Sequence, residues 1–220
     1  MTQKETKKIA IVDYGMGNIF SVKHACEKLG AQVLLTTLKK DLLEADGVIL
    51  PGVGSFGDAM RVLNQLDLVS VLRDIAVMGK PLMGICLGIQ LLMSESYEFG
   101  CHSGLKIIEG SVIRFDNEKK KKSLKVPHVG WNQIYSPQGC SWTNTPLSSV
   151  NTGDFVYFVH SFYASLNDPN VVLSTSQYGD TQFCSSLLSG NVLGCQFHPE
   201  KSGAVGLKIL RQFLQGCSNS

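Results

Sequence analysis

A chain of 220 residues can build one sizeable core but is short for two, and 44% hydrophobic with 17% charged residues is the composition of a globular domain, not of a disordered chain. With 20 basic against 18 acidic side chains there is no basic field of the kind nucleic-acid binders present, and no apolar run of about 18 residues that would span a membrane. The polar start "MTQKETKK" is not a secretory signal, and 7 cysteines, odd in number and without a CxxC pair, argue against a disulfide framework or a zinc site and for a reducing, cytoplasmic compartment.

In chain order, "KKIAIVDY" (7–14) has the pattern of a buried strand, and "NIFSVKHACEKLG" (18–30) has helical spacing with a closing glycine. "QVLLTT" (32–37) is a second strand, and "GVILPG" (47–52) a third that stops on a Pro-Gly breaker. A helical stretch runs from about 55 to 78, "KPLMGIC" (80–86) is a strand, and "LGIQLLMSES" (87–96) a helix. Strands alternating with helices imply parallel βαβ units with helices on both sheet faces.

The second half changes rhythm. "SGLKIIEGSVIRF", "FVYFVHSFYASL", "VVLSTSQYG", "FCSSLLSG" and "NVLGCQFH" are short strand-like pieces, and "AVGLKILRQFLQ" (204–215) is a closing helix. The charge run "EKKKKSLK" (118–125) is a solvated loop in preference to a phosphate or RNA patch. The expectation is an α/β fold: a mostly parallel central sheet flanked by helices, with antiparallel additions in the C-terminal half. Residues 1–220 form a single domain.

One reactive atom interrupts the greasy run at 80–96, the sulfur of Cys86, with Gly84 and Gly88 two positions to either side. A strand-to-helix turn tight enough to push a side chain out over the sheet leaves no room for Cβ atoms at those places, the grammar of the G-x-S-x-G elbow with Cys for Ser. A helix starting at Leu87 would aim its first amides at the sulfur and favour the thiolate. The competing reading is a buried core cysteine. A nucleophile needs a base, and His24, His102, His128, His160 and His198 are the candidates. His198 lies in "GCQFHPEKS", where the following proline favours extended backbone and so lets Glu200 share its face and hold the imidazole.

"GICLGIQLL" with "QFHPEKS" resembles the class I, triad-type glutamine amidotransferase family. Within it, "VDYGMGN", "LPGVGSF", "VPHVGWN" and "YFVHSFYA" are similar to the glutaminase subunits of imidazole glycerol phosphate synthases. The resemblance implies hydrolysis of L-glutamine to glutamate and ammonia: Cys86 attacks the side-chain amide, His198 moves the proton, and Glu200 orients His198. It implies oxyanion donors at Leu87 and at Gly52 and Val53, and glutamine contacts at Gln90, Ser161 and Phe162. It also implies a heterodimer with a (β/α)₈ cyclase subunit that receives the ammonia, faced by Tyr14, Asn18, His128, Trp131 and Lys201. Trp131 is taken as an exposed residue of a Gly-flanked loop. No cofactor and no metal are implied.

Other readings stand beside this one. "DYGMGNIF" would need a third glycine where Phe20 stands to bind a dinucleotide, and "HPE" lacks the P-C-x-x-C of a zinc deaminase. A catalytically inactive regulatory subunit, a peptidase on the same scaffold, and a paralogous subunit supplying ammonia for cell-surface sugar modification complete the set.

Overall fold

The structure is a computed structural model that describes residues 6–115 and 125–217. The basic run at 118–125 lies outside the described residues except for Lys125. The first half contains β1 (Lys8–Val12), α1 (Ile19–Lys28), β2 (Gln32–Thr36), α2 (Lys39–Glu44), β3 (Gly47–Gly52), α3 (Phe56–Gln65), α4 (Val69–Val77), β4 (Leu82–Cys86) and α5 (Leu87–Leu91). Then come β5 (Met93–Ser96), β6 (His102–Ser103), β7 (Ile108–Arg114), β8 (His128–Gln133), β9 (Phe155–His160) and β10 (Phe162–Leu166). The chain closes with β11 (Val172–Tyr178), β12 (Thr181–Ser189), β13 (Val192–Cys195) and α6 (Gly203–Gly216).

The main sheet runs β11-β12-β13-β4-β3-β1-β2. From β2 to β13 every neighbour is parallel, whereas β12 and β11 add antiparallel strands at the β13 edge. The expected mostly parallel sheet with antiparallel additions is therefore the observed one. β3, β4 and β13 are buried at every position, as strands covered on both faces must be. One face packs under α3 and α4 around Phe56, Leu63, Leu72 and Ile75. The other packs under α1 and α6, where Ile209, Leu210, Phe213 and Leu214 repeat at the spacing of a single helix face. A four-stranded sheet, β10-β7-β5-β6, and a two-stranded ribbon, β8-β9, complete the fold.

Three expected elements are corrected. The helix at 87–96 ends at Leu91, and Met93–Ser96 is strand β5. Leu87 to Met93 are all buried, so burial gives that run no helical face to reveal its length. The helical stretch at 55–78 is two helices, separated where Asp67 takes a left-handed φ of 52°. Trp131 sits on strand β8, not in a loop; Gly130, with φ 132°, is inside the strand.

Candidate active site

Strand β4 delivers Cys86 at the point where α5 begins, with φ 56° and ψ −106°. An L-residue holds such a pair only under constraint from its surroundings. The flanking glycines supply that constraint by close packing. A Cβ on Gly84 would lie 2.7 Å from the Gly88 carbonyl carbon, and one on Gly88 only 1.9 Å from Leu50 O. Neither glycine has a positive φ, so it is the missing side chain that matters. The Cys86 thiol is buried and donates towards Val159 O at 3.7 Å.

His198 follows β13, the parallel neighbour of β4, with Cys195 opposite Ile85. Its N–H donates to Tyr157 O at 2.9 Å. The Ser202 hydroxyl donates to His198 O at 2.6 Å and accepts the Tyr157 N–H at 3.0 Å, tying the segment to β9. Helix α6 comes so close that a Cβ on Gly206 would lie 1.8 Å from Pro199 O. The backbone of 199–201 winds into a 3₁₀ turn instead of continuing extended, and that turn brings Glu200 back to the ring. His198 Nδ1–H donates to Glu200 Oε1 at 2.8 Å, both side chains being almost wholly buried.

Burial works against the His198 cation, but the Cys86 sulfur and the Glu200 carboxylate outweigh it and raise the pKa well above the usual imidazole value. His198 Nε2 has no hydrogen-bond partner among the described residues. The sulfur and the imidazole thus face each other within electrostatic range, short of a formed hydrogen bond. Gln196 Nε2 and Glu200 Oε2 are likewise buried and unpaired. Orphaned polar atoms are rare in folded chains, and a knot of them just past the C-terminal end of β13, beside the Cys86 end of β4, marks a site for chemistry.

Cys86 opens on a cleft of about 400 Å³. Leu87, Gln90, Val53 and Gly54 line one side, and Val159 to Phe162 another. Gly52 pairs directly with Cys86 across β3 and β4, so the "PGVG" turn is beside the sulfur. Gln90 donates to Phe162 O at 2.8 Å and to Gln196 Oε1 at 3.1 Å, on the Cys86 side as its spacing predicts.

Five residues were expected to face a partner. Trp131 and Lys201 are exposed, and Asn18 is half-buried, accepting from the Ser21 hydroxyl at 3.0 Å. Two expectations are corrected. Tyr14 is buried, its hydroxyl donating to Pro51 O at 2.8 Å, and His128 is buried against His160 at 3.0 Å. Their rings pack inward because each finds its polar partner there. Of the other histidines, His24 is exposed on α1 and His102 lies on β6, neither lining the cleft. Glu98 and Arg114 line the cleft and were missed, and His160, named only as a candidate base, lines it too. Ser202, which ties the His198 segment to β9, was also missed. Glu98 and Arg114 come from separate parts of the chain and carry no local motif; only tertiary packing brings them to the cleft.

The family described as "Glutamine amidotransferase class-I" matches residues 10–217. The chain belongs to the class-I glutamine amidotransferase family. It is 47% identical over 207 residues to "Imidazole glycerol phosphate synthase subunit HisH" of Geobacter metallireducens, covering 93% of this chain and 96% of that one. A relative of the same name from Bacillus cereus is 48% identical over 206 residues, covering 93% of each. Among solved structures, "Structure of PurLQS from Thermotoga maritima" superposes with a TM-score of 0.71 at 22% identity, over 96% of this chain and 99% of that one. That similarity concerns the fold. The amidotransferase is thus an α/β enzyme whose cleft lies at the C-terminal ends of β3, β4 and β13.

Proposed function

We propose that this amidotransferase is the glutaminase subunit of an imidazole glycerol phosphate synthase, acting in histidine biosynthesis, with residues 1–220 as one glutaminase domain. The observation that carries it is the meeting of Cys86, His198 and Glu200 in one buried cluster open to a cleft. Cys86 sulfur attacks the side-chain amide carbon of L-glutamine, and the tetrahedral oxyanion is held by Leu87 N–H and a donor from Gly52 or Val53. His198 passes a proton to the leaving ammonia, and the thioester is then cleaved by a water that His198 deprotonates, releasing glutamate. Glu200 holds the ring and its charge throughout. Gln90, Ser161 and Phe162 grip the substrate side chain and backbone, while Glu98 and Arg114 offer opposite charges to the α-ammonium and α-carboxylate.

Ammonia released into neutral water becomes ammonium and loses its nucleophilicity, so the product is best handed directly to a second catalyst. The partner is a (β/α)₈ cyclase subunit that yields imidazole glycerol phosphate and an aminoimidazole ribonucleotide (AICAR). The outer face of the β8–β9 ribbon, with Trp131 and Val129 exposed beside Lys201, supplies the docking surface. The paralogous surface-sugar role finds no support in the relatives compared, which carry the synthase name.

The test is glutamate release by the chain alone and with the cognate cyclase subunit and its sugar-phosphate ligand. Release should be weak alone and rise steeply in the complex. Cys86→Ala should abolish it while leaving the partner's reaction with added ammonium salts intact. Glutamate release by Cys86→Ala, or equal rates with and without the partner, would overturn the assignment.

A further inference from the structure

We propose that His128 and His160 form a neutral positioning relay that fixes the Phe162 carbonyl, and through it Gln90, for glutamine binding; the kinetic role rests on the glutaminase reading. The two rings face each other from directly paired positions of β8 and β9, on the inner face of the ribbon whose outer face carries Trp131 and Val159. Their protons are assigned by the groups around them. Phe162 O can only accept, so His160 Nδ1, 2.9 Å away, carries a hydrogen. In the neutral ring His160 Nε2 is then an acceptor, and the proton of the 3.0 Å contact belongs to His128 Nδ1.

The other end of the chain agrees. Asn132 Oδ1 accepts the Gln133 N–H at 2.8 Å, which sets the amide orientation. Its Nδ2 donates to Gln177 O at 2.9 Å and to His128 Nε2 at 3.3 Å, so that nitrogen is an acceptor. Every proton runs one way, from Asn132 through His128 and His160 to Phe162 O. Stacking of His128 on Phe158 and Tyr178, and packing of both rings on Phe115, keep them desolvated and neutral, with His198, among the described residues, the one ionisable side chain beyond the pair that acts on His160.

The Phe162 carbonyl receives a second bond, from Gln90 Nε2 at 2.8 Å. If His160 carried its proton on Nε2, the Nδ1 lone pair would oppose the carbonyl lone pairs at contact distance, and the carbonyl with Gln90 would move. His128 prevents that by occupying Nε2 with a donor. His128 touches neither the cleft nor the triad, so it is a positioning residue.

Two measurements test the relay. In long-range ¹H–¹⁵N spectra of the wild-type chain at neutral pH, both rings should be neutral with the proton on Nδ1; an Nε2–H form of His160 overturns the proposal, whether or not any variant folds. In the complex with the cognate cyclase, His128→Phe, which keeps the stacking but loses the donor, should raise the glutamine KM about fivefold, the value of one neutral hydrogen bond, with kcat changed less than about twofold. His128→Asn, which returns an N–H near the Nδ1 position, should restore KM. An unchanged KM in folded His128→Phe overturns the relay, whereas a wild-type complex that releases no glutamate overturns the glutaminase reading and leaves the spectra to judge the proton order.

Discussion

At Cys86 the backbone holds a conformation that costs an ordinary residue about 1–3 kcal/mol and that glycine adopts more freely. The strain is retained because β4, α5 and Leu50 leave the turn no other path. It follows that Cys86→Gly should unfold at higher denaturant than Cys86→Ala, by roughly 1 kcal/mol, although both lack the sulfur. Equal stability would mean that the turn carries no strain. The same residue was legible in the sequence, because close packing on both sides of an elbow demands glycine at fixed offsets. Glu98 and Arg114 were not, since each reaches the cleft from an element whose path depends on the whole fold.

At the scale of elements, the β8–β9 ribbon has the clearest solution signature. Burial pushes the His128 pKa down to about 4 and the His160 pKa down to about 3. Both values lie below that of the unfolded chain, so the stability these residues contribute is complete above about pH 6.5 and is lost as the pH falls towards the folded values. His198 is shifted the other way, and its opposing contribution fades as the pH falls below about 6.5, where the unfolded ring is charged as well. Folding free energy from denaturant titrations should therefore fall below pH 6.5 with a slope approaching two protons, about 2.7 kcal/mol per pH unit, and His128→Phe should halve it. A flat profile between pH 6.5 and 5 would show that the rings are not held neutral.

The ribbon also shows where reading by sequence stops. β3 matches the sequence expectation residue for residue, because an unbroken apolar run ended by Pro-Gly has few alternatives. β8 has Gly130 in its middle and Pro127 before its start, both loop signals, and its strand character comes from its pairing with β9. The pairing that places His128 against His160 is set by that register, which no local pattern encodes. Helix α2, with only Leu42 buried among six residues, offers too little periodicity to be seen.

Across the whole molecule, parallel topology does the assembling. β3, β4 and β13 are adjacent and point the same way, so the "PGVG" turn, the Cys86 elbow and the His198 turn emerge together although the chain visits them far apart. The cleft they share is bounded by β9, and Val159, on the same ribbon face as Trp131, is one of its lining residues. On the proposed reading, docking on the ribbon and substrate binding in the cleft share this one strand.

The most direct measurement is peptide mapping of the complex after exposure to a chloroketone analogue of glutamine, which alkylates a thiolate positioned as the amide carbon would require. All 7 cysteines are free, so each is a possible target. The expected result is one adduct, on Cys86, suppressed by excess glutamine and slowed in His198→Ala. Modification at another cysteine, or labelling of Cys86 that glutamine does not protect, would contradict the account.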